Sequence, residues 1–282
     1  MVVRERARRW PHGRPVVGVL HPGAMGAAIG SALKPVASAV VWAVVGRSAA
    51  TVKRAELADL IGVPDVASVA RRCDLIISIC PPEAALDVAE QVAAALPHRA
   101  AAPPLYVEAN AISPGTVRRI AAVLAPASVV DGAVIGPPAW RRGSTVLWLS
   151  GPEASTVAAL FEASPFDGRV LGTGLGAASA LKACFALQSK ALPAIWLALA
   201  EAAEKAGVAD ALTGELTRAG VDFAARFAEI SERAAPKAWR FAGEMDEAAA
   251  TMAELGVPSG FSTAAAEIYR RLAKTHAHQV KP

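Results

Sequence analysis

Short runs of valine, isoleucine and leucine alternate with alanine-rich segments over the first half of the chain. The runs occupy residues 16–20, 40–45, 75–80, 105–107, 129–134 and 145–149. Between them, residues 84–96 and 114–124 place apolar side chains at helical spacing. Strands that are apolar on both faces and separated by helices predict a parallel sheet covered on both sides. The pattern changes after VLGTGLG. Residues 179–206 read as one long helix whose only strong breaker is Pro193. The rest is helical too, punctuated by Gly207, Gly220, Pro236, Gly256 and Pro258. The expected organisation is a doubly wound α/β domain over residues 15–173 and an all-helical domain over 174–282. Ligands of such proteins bind beside the carboxyl ends of the strands, where domains meet.

Composition narrows the partners. The chain has 282 residues, 54% of them hydrophobic and 19% charged, which suits a packed globular protein and excludes a disordered one. The best candidate for an apolar span, residues 36–45, is about half of what a bilayer requires, so no membrane is expected. Arg4, Arg6, Arg8, Arg9 and Arg14 stand against Glu5, so residues 1–14 carry the whole net charge of +4 as a basic arm. The remainder sums to zero, and no nucleic-acid partner is expected. Arg8 and Arg9 form a twin arginine, but a strand and turn follow it where an export signal needs an apolar core and a cleavage site. Cys73, Cys80 and Cys184 fit neither a disulfide framework nor metal spacing. The expectation is a reduced, cytoplasmic protein without a metal.

The stretch VGVLHPGAMGAAIG, residues 17–30, runs from strand through a glycine turn into helix. In a dinucleotide site the first glycine makes the tight turn, the second admits a pyrophosphate to the backbone, and the third lets helix and strand pack closely. Here these slots hold His21, Gly23 and Gly26. The phosphates would sit on the helix N-terminus. The candidate cofactor residues are His21, Pro22, Gly23, Ala24, Met25 and Gly26. The alternative is a plain strand-turn-helix connection with no ligand. The second strand ends in VGRSAATVKR, where an NAD site carries an acid for the ribose hydroxyls. Arg47 and Ser48 stand in its place, followed by Thr51, Lys53 and Arg54. Cations and hydroxyls suit a 2′-phosphate, hence NADP (NADPH) before NAD. The alternative is the solvated start of a helix.

Taken in order, HPGAMG, CPPEAALDVA, EANAISP, DGAVIGPP, GAASALKA and AWRFAGEMDEAAATMAELGVPSGF resemble the β-hydroxyacid dehydrogenase superfamily, from residue 16 to about residue 272. This superfamily includes 6-phosphogluconate dehydrogenase, 3-hydroxyisobutyrate dehydrogenase, tartronate semialdehyde reductase and the imine reductases. The chain more closely resembles a branch with a nucleotide domain like that of 6-phosphogluconate dehydrogenase and its own helical C-terminal domain. The resemblance implies a Rossmann-type doubly wound sheet followed by an all-helical domain. It places Cys80, Pro81 and Pro82 beside the adenosine and ribose. It places Asn110 and Ser113, in VEANAISPGT, near the substrate; the residue-level alternative for Asn110 is a turn capping the next helix. Ile135 and Gly136 occupy the substrate loop VIGPPAWRRG, with Ile135 in the slot of a serine that holds the substrate's acid end; Arg141 and Arg142 follow. In GLGAASALKACFA, Gly176 matches a motif glycine, Ala178 takes the slot of a second, and Lys182 matches the catalytic lysine. Ala186 stands where the family has an asparagine. Ser179 is a further substrate candidate, and Lys190 a weaker proton donor. The family's C-terminal lysine-aspartate pair aligns with Gly243 and Glu244.

A lysine beside a developing alkoxide donates a proton as hydride arrives and stabilises the charge. The expected function is an NADP-dependent oxidoreductase acting on a small β-hydroxy acid or carbonyl, with Lys182 as proton donor or acceptor. An imine reductase is the alternative within the superfamily, and a non-catalytic NADPH-binding protein the alternative outside enzymes. The superfamily pairs its helical domains. Leu192, Ile195, Trp196, Leu199, Phe223, Phe227, Trp239, Phe241 and Met245 therefore imply a homodimer with an apolar interface.

Overall fold

The computed structural model describes Trp10, residues 13–98 and residues 100–280. The basic arm expected over residues 1–14 lies outside the described residues, apart from Trp10, Gly13 and Arg14. Two compact units divide between Lys182 and Ala183, later than the sequence boundary at residue 173.

The first unit is built on strands β1 (Val16–Val19), β2 (Ala39–Ala43), β3 (Ile61–Val63), β4 (Leu75–Ser78), β5 (Leu105–Glu108), β6 (Ser128–Ile135), β7 (Val146–Ser150) and β8 (Asp167–Gly172). Helices α1 (Ala24–Leu33), α2 (Ala49–Leu57), α3 (Val66–Arg72), α4 (Ala85–Ala95), α5 (Pro114–Leu124) and α6 (Ala154–Ala159) connect them, and α7 (Ala177–Ala186) follows β8. The strands form one sheet in the order β3-β2-β1-β4-β5-β6-β7-β8. Its first six strands have the Rossmann order, with the direction of winding reversing between β1 and β4. Alternate side chains point to opposite faces. Val17, Val19, Leu75, Ile77, Leu105 and Val107 join the core beneath α1 and α6. Ile76, Tyr106 and Val129 join the core beneath α3, α4 and α5. Both faces are covered, which is why these strands read as unbroken apolar runs.

The doubly wound sheet is as expected, with two details the sequence pattern did not carry. β7 runs antiparallel to β6, Ile135 facing Val146 and Asp131 facing Ser150. A parallel pair needs a crossover, usually helical; the link over residues 136–145 is too short and holds Pro137 and Pro138, so the chain turns straight back. Two strands had no apolar signature. β3 has only three residues, two of them exposed. β8, with the sequence DGRVLG, has no buried residue. Both lie at sheet edges, where a strand need not be apolar.

The second unit consists of α8 (Leu192–Ala206), α9 (Ala209–Arg218), α10 (Phe223–Ala234), α11 (Ala238–Glu254) and α12 (Gly260–Val280). Its core is largely alanine with Leu197, Met245, Met252 and Tyr269. A π-helical turn, Leu187–Ala191, joins α7 to α8. Pro193 explains it: a proline ring clashes with the carbonyl four residues back, and the wider turn gives it room. The continuous run Ala177–Ala206 contains a window of mean hydropathy 1.4 and is long and apolar enough to cross a membrane by length and composition. That corrects the expectation that no apolar run approaches this length. Ala183, Ala186, Ala191, Ala194 and Leu197 of this helix lie in the core of the second unit, and the core helix of a globular domain meets the same criterion.

Candidate active site

The glycine turn after β1 divides its two glycines by task. A Cβ on Gly26 would lie 2.2 Å from the His21 carbonyl oxygen, so only glycine lets α1 start this close to the strand end. At Gly23 a Cβ would meet nothing within 4 Å. Gly23 is the N-cap of α1 and offers no side chain to the first-turn amides, and that turn carries no acid. The first N–H groups of a helix have no partner within it. They therefore stand beside open space, as a phosphate site requires. Pro22 is buried, Ala24 is exposed, and Met25 packs against the core.

Three separate segments converge next to this turn. His21 after β1, Arg47 after β2 and Cys80 after β4 act on one another electrostatically. Burial, and then the Arg47 charge, depress the His21 imidazole to about 4. Burial also lowers the Arg47 guanidinium. Burial, with Glu108 next, pushes the Cys80 thiol up to about 12. His21 Nδ1 and Arg47 Nε are both shut off from solvent and have no hydrogen-bond partner among the described residues. Unsatisfied buried polar atoms are rare and call for an explanation. Ser48 is exposed and caps α2, its oxygen accepting from the Thr51 N–H at 3.3 Å. Pro81 and Pro82 begin the tight turn that leads into α4. The open Gly23 cradle and the two unpartnered nitrogens fit the phosphate and ribose end of a dinucleotide.

The sheet then brings together residues that the sequence reading did not single out. Ser78, Glu108, Asp131 and Ser150 are register partners across β4, β5, β6 and β7. All four are fully buried. They form one transverse polar row, at the carboxyl ends of β4 and β5 and in the middle of β6. Burial, joined by the neighbouring Asp131, pushes the Glu108 carboxyl up to about 8. Its Oε1 accepts from the Asn110 N–H at 2.9 Å, and its Oε2 has no partner. Burial also raises Asp131, but its donors pull the other way. Asp131 Oδ2 accepts from Ser150 Oγ at 3.0 Å and from the Ser179 N–H at 2.9 Å, and its Oδ1 accepts from Ser179 Oγ at 2.6 Å.

This row takes up several polar groups that the sequence had assigned to the substrate. Asn110 is buried; its Nδ2 donates to Ser78 Oγ at 3.0 Å and its Oδ1 accepts from the Cys80 N–H. It joins the ends of β5 and β4. Ser113 is the N-cap of α5, accepting from the Thr116 N–H at 3.2 Å. Ser179 is turned towards Asp131. The signal for the row was present in the sequence: LIIS, LYVE and VLWLS each end an apolar strand on a polar residue, and SVVDGAVI interrupts one with an acid.

The row also seats α7. Ser150 Oγ accepts from the Ala178 N–H at 3.0 Å, so β6 and β7 supply the cap of this helix. Gly176 precedes it at φ 101°, where a Cβ would lie 2.9 Å from Pro114 Cβ. Lys182 lies three residues beyond Ser179, on the same side of the helix. Lys182 is half-buried, and its Nζ donates to the Val134 carbonyl of β6. Ile135 is half-buried beside that carbonyl and Gly136 is exposed. Arg142 donates to the Glu162 carbonyl at 2.7 Å. Ala186, in the asparagine slot, lies in the core of the second unit. There Lys190 pairs with Glu244 at 2.9 Å, with their side chains 11% and 10% exposed. Glu244 also takes Arg240 at 3.1 Å. Glu244 thus gains its lysine from position 190 where the neighbouring position 243 is glycine.

Comparison with known proteins agrees with this architecture. Residues 203–272 match the family described as Domain of unknown function (DUF1932). An uncharacterized 28.5 kDa protein in the 7S RNA 5′ region of Methanothermus fervidus is 30% identical over 167 residues, which cover 59% of this chain and 62% of that protein. The matched part thus falls short of two thirds of that relative. A conserved protein of unknown function, MTH1747, whose structure is described as similar to 3-hydroxyacid dehydrogenases, is 24% identical with a TM-score of 0.62, over 94% of this chain and 99% of its own. Mycobacterium tuberculosis 3-hydroxyisobutyrate dehydrogenase with L-serine is 20% identical with a TM-score of 0.66, over 94% and 95%. A reductive aminase from Aspergillus terreus in complex with NADPH and ethyl levulinate is 18% identical with a TM-score of 0.53, over 93% and 94%.

Proposed function

We propose that this chain, which has the fold of the 3-hydroxyacid dehydrogenases, is an NAD(P)-dependent oxidoreductase. More narrowly, we propose that it uses NADP and acts on a small carbonyl compound or the matching β-hydroxy acid. The observation that carries the reading is the convergence of the open Gly23 cradle with the unpartnered His21 Nδ1 and Arg47 Nε. Gly23, Gly26 and the first-turn amides of α1 would hold the phosphates. Arg47 would take the 2′-phosphate, and Cys80 with Pro81 would border the ribose. Bound there, a dihydronicotinamide supplies hydride to a carbonyl carbon. Lys182 gives a proton from Nζ to the carbonyl oxygen as negative charge develops on it, and the product is the alcohol. In the opposite direction the neutral amine of Lys182 receives that proton. The Asp131 row positions α7, and with it Lys182. Support comes from solved structures of the same fold that include a dehydrogenase and an NADPH complex of a reductive aminase.

One observation favours a second reading, reduction of a C=N bond. Ile135 leaves the loop after β6 without the hydroxyl that would hold a substrate's acid end. The test is NADPH consumption over panels of keto acids, semialdehydes, and ketones with and without amines. Turnover of a keto acid or semialdehyde supports the first reading, and amine-dependent turnover the second. No consumption together with tight NADPH binding makes the chain a nucleotide-binding protein. We also propose a homodimer through the second unit, on the exposed Leu192, Ile195, Phe227 and Trp239; sedimentation equilibrium tests it.

A further inference from the structure

His21 replaces a glycine of the phosphate turn with a titratable side chain, and the reading above gives it no task. Its environment is unusual in two ways. Its Nδ1 is sealed from solvent without a partner, and so is the Nε of Arg47 beside it. These side chains come from strand ends that neighbour each other in the sheet, β1 and β2. Gly23, two residues after His21, has nothing among the described residues within 4 Å of where a Cβ would stand. A structural histidine satisfies its buried nitrogen within the fold. Two unpartnered nitrogens on adjoining loops, one of them an arginine Nε that can only donate, suit an acceptor supplied by a ligand. An arginine and an imidazole together suit an anion of more than one charge.

We infer that His21 and Arg47 form a two-pronged clamp for the 2′-phosphate of the dinucleotide, and that His21 takes up a proton when this phosphate binds. The inference rests on the proposed NADP reading and deepens it: NADP selectivity becomes dependent on pH. Without ligand, burial and the Arg47 cation hold the imidazole neutral at physiological pH. Arg47 is the charged group that acts on it among the described residues. Across from Arg47, Cys80 stays a neutral thiol, and Glu83 and Glu108 act on Cys80. A phosphate dianion placed between the two prongs reverses the local sign. It offsets the Arg47 charge and favours imidazolium, so the histidine draws one proton from solvent. A dinucleotide lacking the 2′-phosphate brings no such charge and takes up no proton.

The experiment is calorimetric titration of the full chain with NADP⁺ and with NAD⁺ from pH 8 to pH 6, in two buffers of different ionisation enthalpy. Binding is the readout, so no substrate is required. NADP⁺ is expected to show proton uptake and a several-fold tightening towards pH 6, at most about tenfold per pH unit. NAD⁺ is expected to show neither. The 2′-phosphate itself loses its second proton near pH 6, so the slope from pH 8 to pH 7 belongs to His21. His21→Gln keeps a hydrogen-bonding side chain that does not titrate. It should bind NADP⁺ more weakly than wild type, still prefer it over NAD⁺ through Arg47, and lose the pH slope. His21→Gly, which restores the usual turn residue, should lose the slope too and covers a glutamine variant that folds poorly. NADP⁺ preference without proton uptake, or with the same slope in the variants, overturns the clamp and leaves the NADP reading standing. Binding of NAD⁺ as tight as that of NADP⁺ overturns both.

Discussion

The carboxyl ends of β1 and β2 and the middle of β6 with the start of α7 are both polar, but their polar atoms are used in opposite ways. At β6 and α7, the carboxylate of Asp131 is met by donors from Ser150 and Ser179, and the Ala178 amide is taken by Ser150. At β1 and β2, His21 Nδ1 and Arg47 Nε are buried without partners among the described residues. A satisfied buried network holds a shape; an unsatisfied one waits for a ligand. The difference matches the proposed function, with scaffold work at β6 and α7 and ligand work at the ends of β1 and β2. Lys182 joins the two roles in the proposed function, because it stands on the scaffolded helix and is the proposed proton donor.

The largest expected effect follows from that position. Lys182→Ala should cut turnover by about 10²–10⁴-fold, the range for a positioned proton donor, and leave NADPH affinity nearly unchanged. Lys182→Arg should not rescue it, since guanidinium does not release a proton near neutral pH. The measurement is kcat on the substrate found by the NADPH screen, with nucleotide Kd in parallel. A variant that keeps more than about a third of wild-type kcat places the proton donor elsewhere.

Asp131→Ala breaks the satisfied end. It strands the Ser150 and Ser179 hydroxyls and the Ser179 amide in the interior, and one orphaned buried donor costs about 1–3 kcal/mol. Some of that loss relaxes, so a stability decrease of about 3 kcal/mol is expected by urea unfolding. Turnover should fall with it, because α7 loses its cap. A variant within about 0.5 kcal/mol of wild type would show that the row does not hold the helix.

Glu108 is the exception within the row, a half-satisfied carboxyl. Its value is about 8 in the folded protein against an ordinary 4.5. Between those values the folded chain holds a proton that the unfolded chain has released. Stability is therefore highest below pH 4.5 for this group and declines as pH rises to 8, by at most about 1.4 kcal/mol per unit. Glu108→Gln keeps the shape and removes the titration. It should be more stable than wild type at pH 8 by about 1–3 kcal/mol, with little difference near pH 5. His21 adds the opposite slope on the acid side. Its folded value near 4 lies below the ordinary 6.5, so its contribution is lost as pH falls from 6.5 towards 4. Identical pH-stability slopes for wild type and Glu108→Gln would remove Glu108 from this account.

Much of this architecture was legible because burial leaves a mark on sequence. Strands such as LIIS and AVVWA read as apolar throughout because helices cover both faces. β3 and β8 were illegible for the converse reason, as edge strands with exposed residues. The glycine turn and Arg47 could be read from spacing alone. The transverse row could not. Ser78, Glu108, Asp131 and Ser150 are spread over more than seventy positions, and only sheet register aligns them. Asn110, Ser113 and Ser179 show the same limit. Sequence locates a polar residue near a motif, but its partner decides whether it caps a helix, ties two loops or faces a ligand.

The smallest expected effect tests the unsatisfied end most directly. Arg47 stands where an NAD site carries an acid, and its buried Nε lacks a partner. If a 2′-phosphate fills that valence, Arg47→Ala removes one charge-assisted contact, worth about 1.5–3 kcal/mol. NADPH affinity should then fall about tenfold or somewhat more. NADH, which lacks the phosphate, should lose little. Ser48 offers the control at the same loop. Its hydroxyl already caps α2 through Thr51, so Ser48→Ala should lower stability by about 1 kcal/mol and shift NADPH affinity less than Arg47→Ala does. The discriminating quantity is the ratio of the two nucleotide dissociation constants in each variant. An Arg47→Ala ratio equal to wild type would mean that Arg47 does not read the phosphate, and the contrast between an open and a closed end of the sheet would lose its functional meaning.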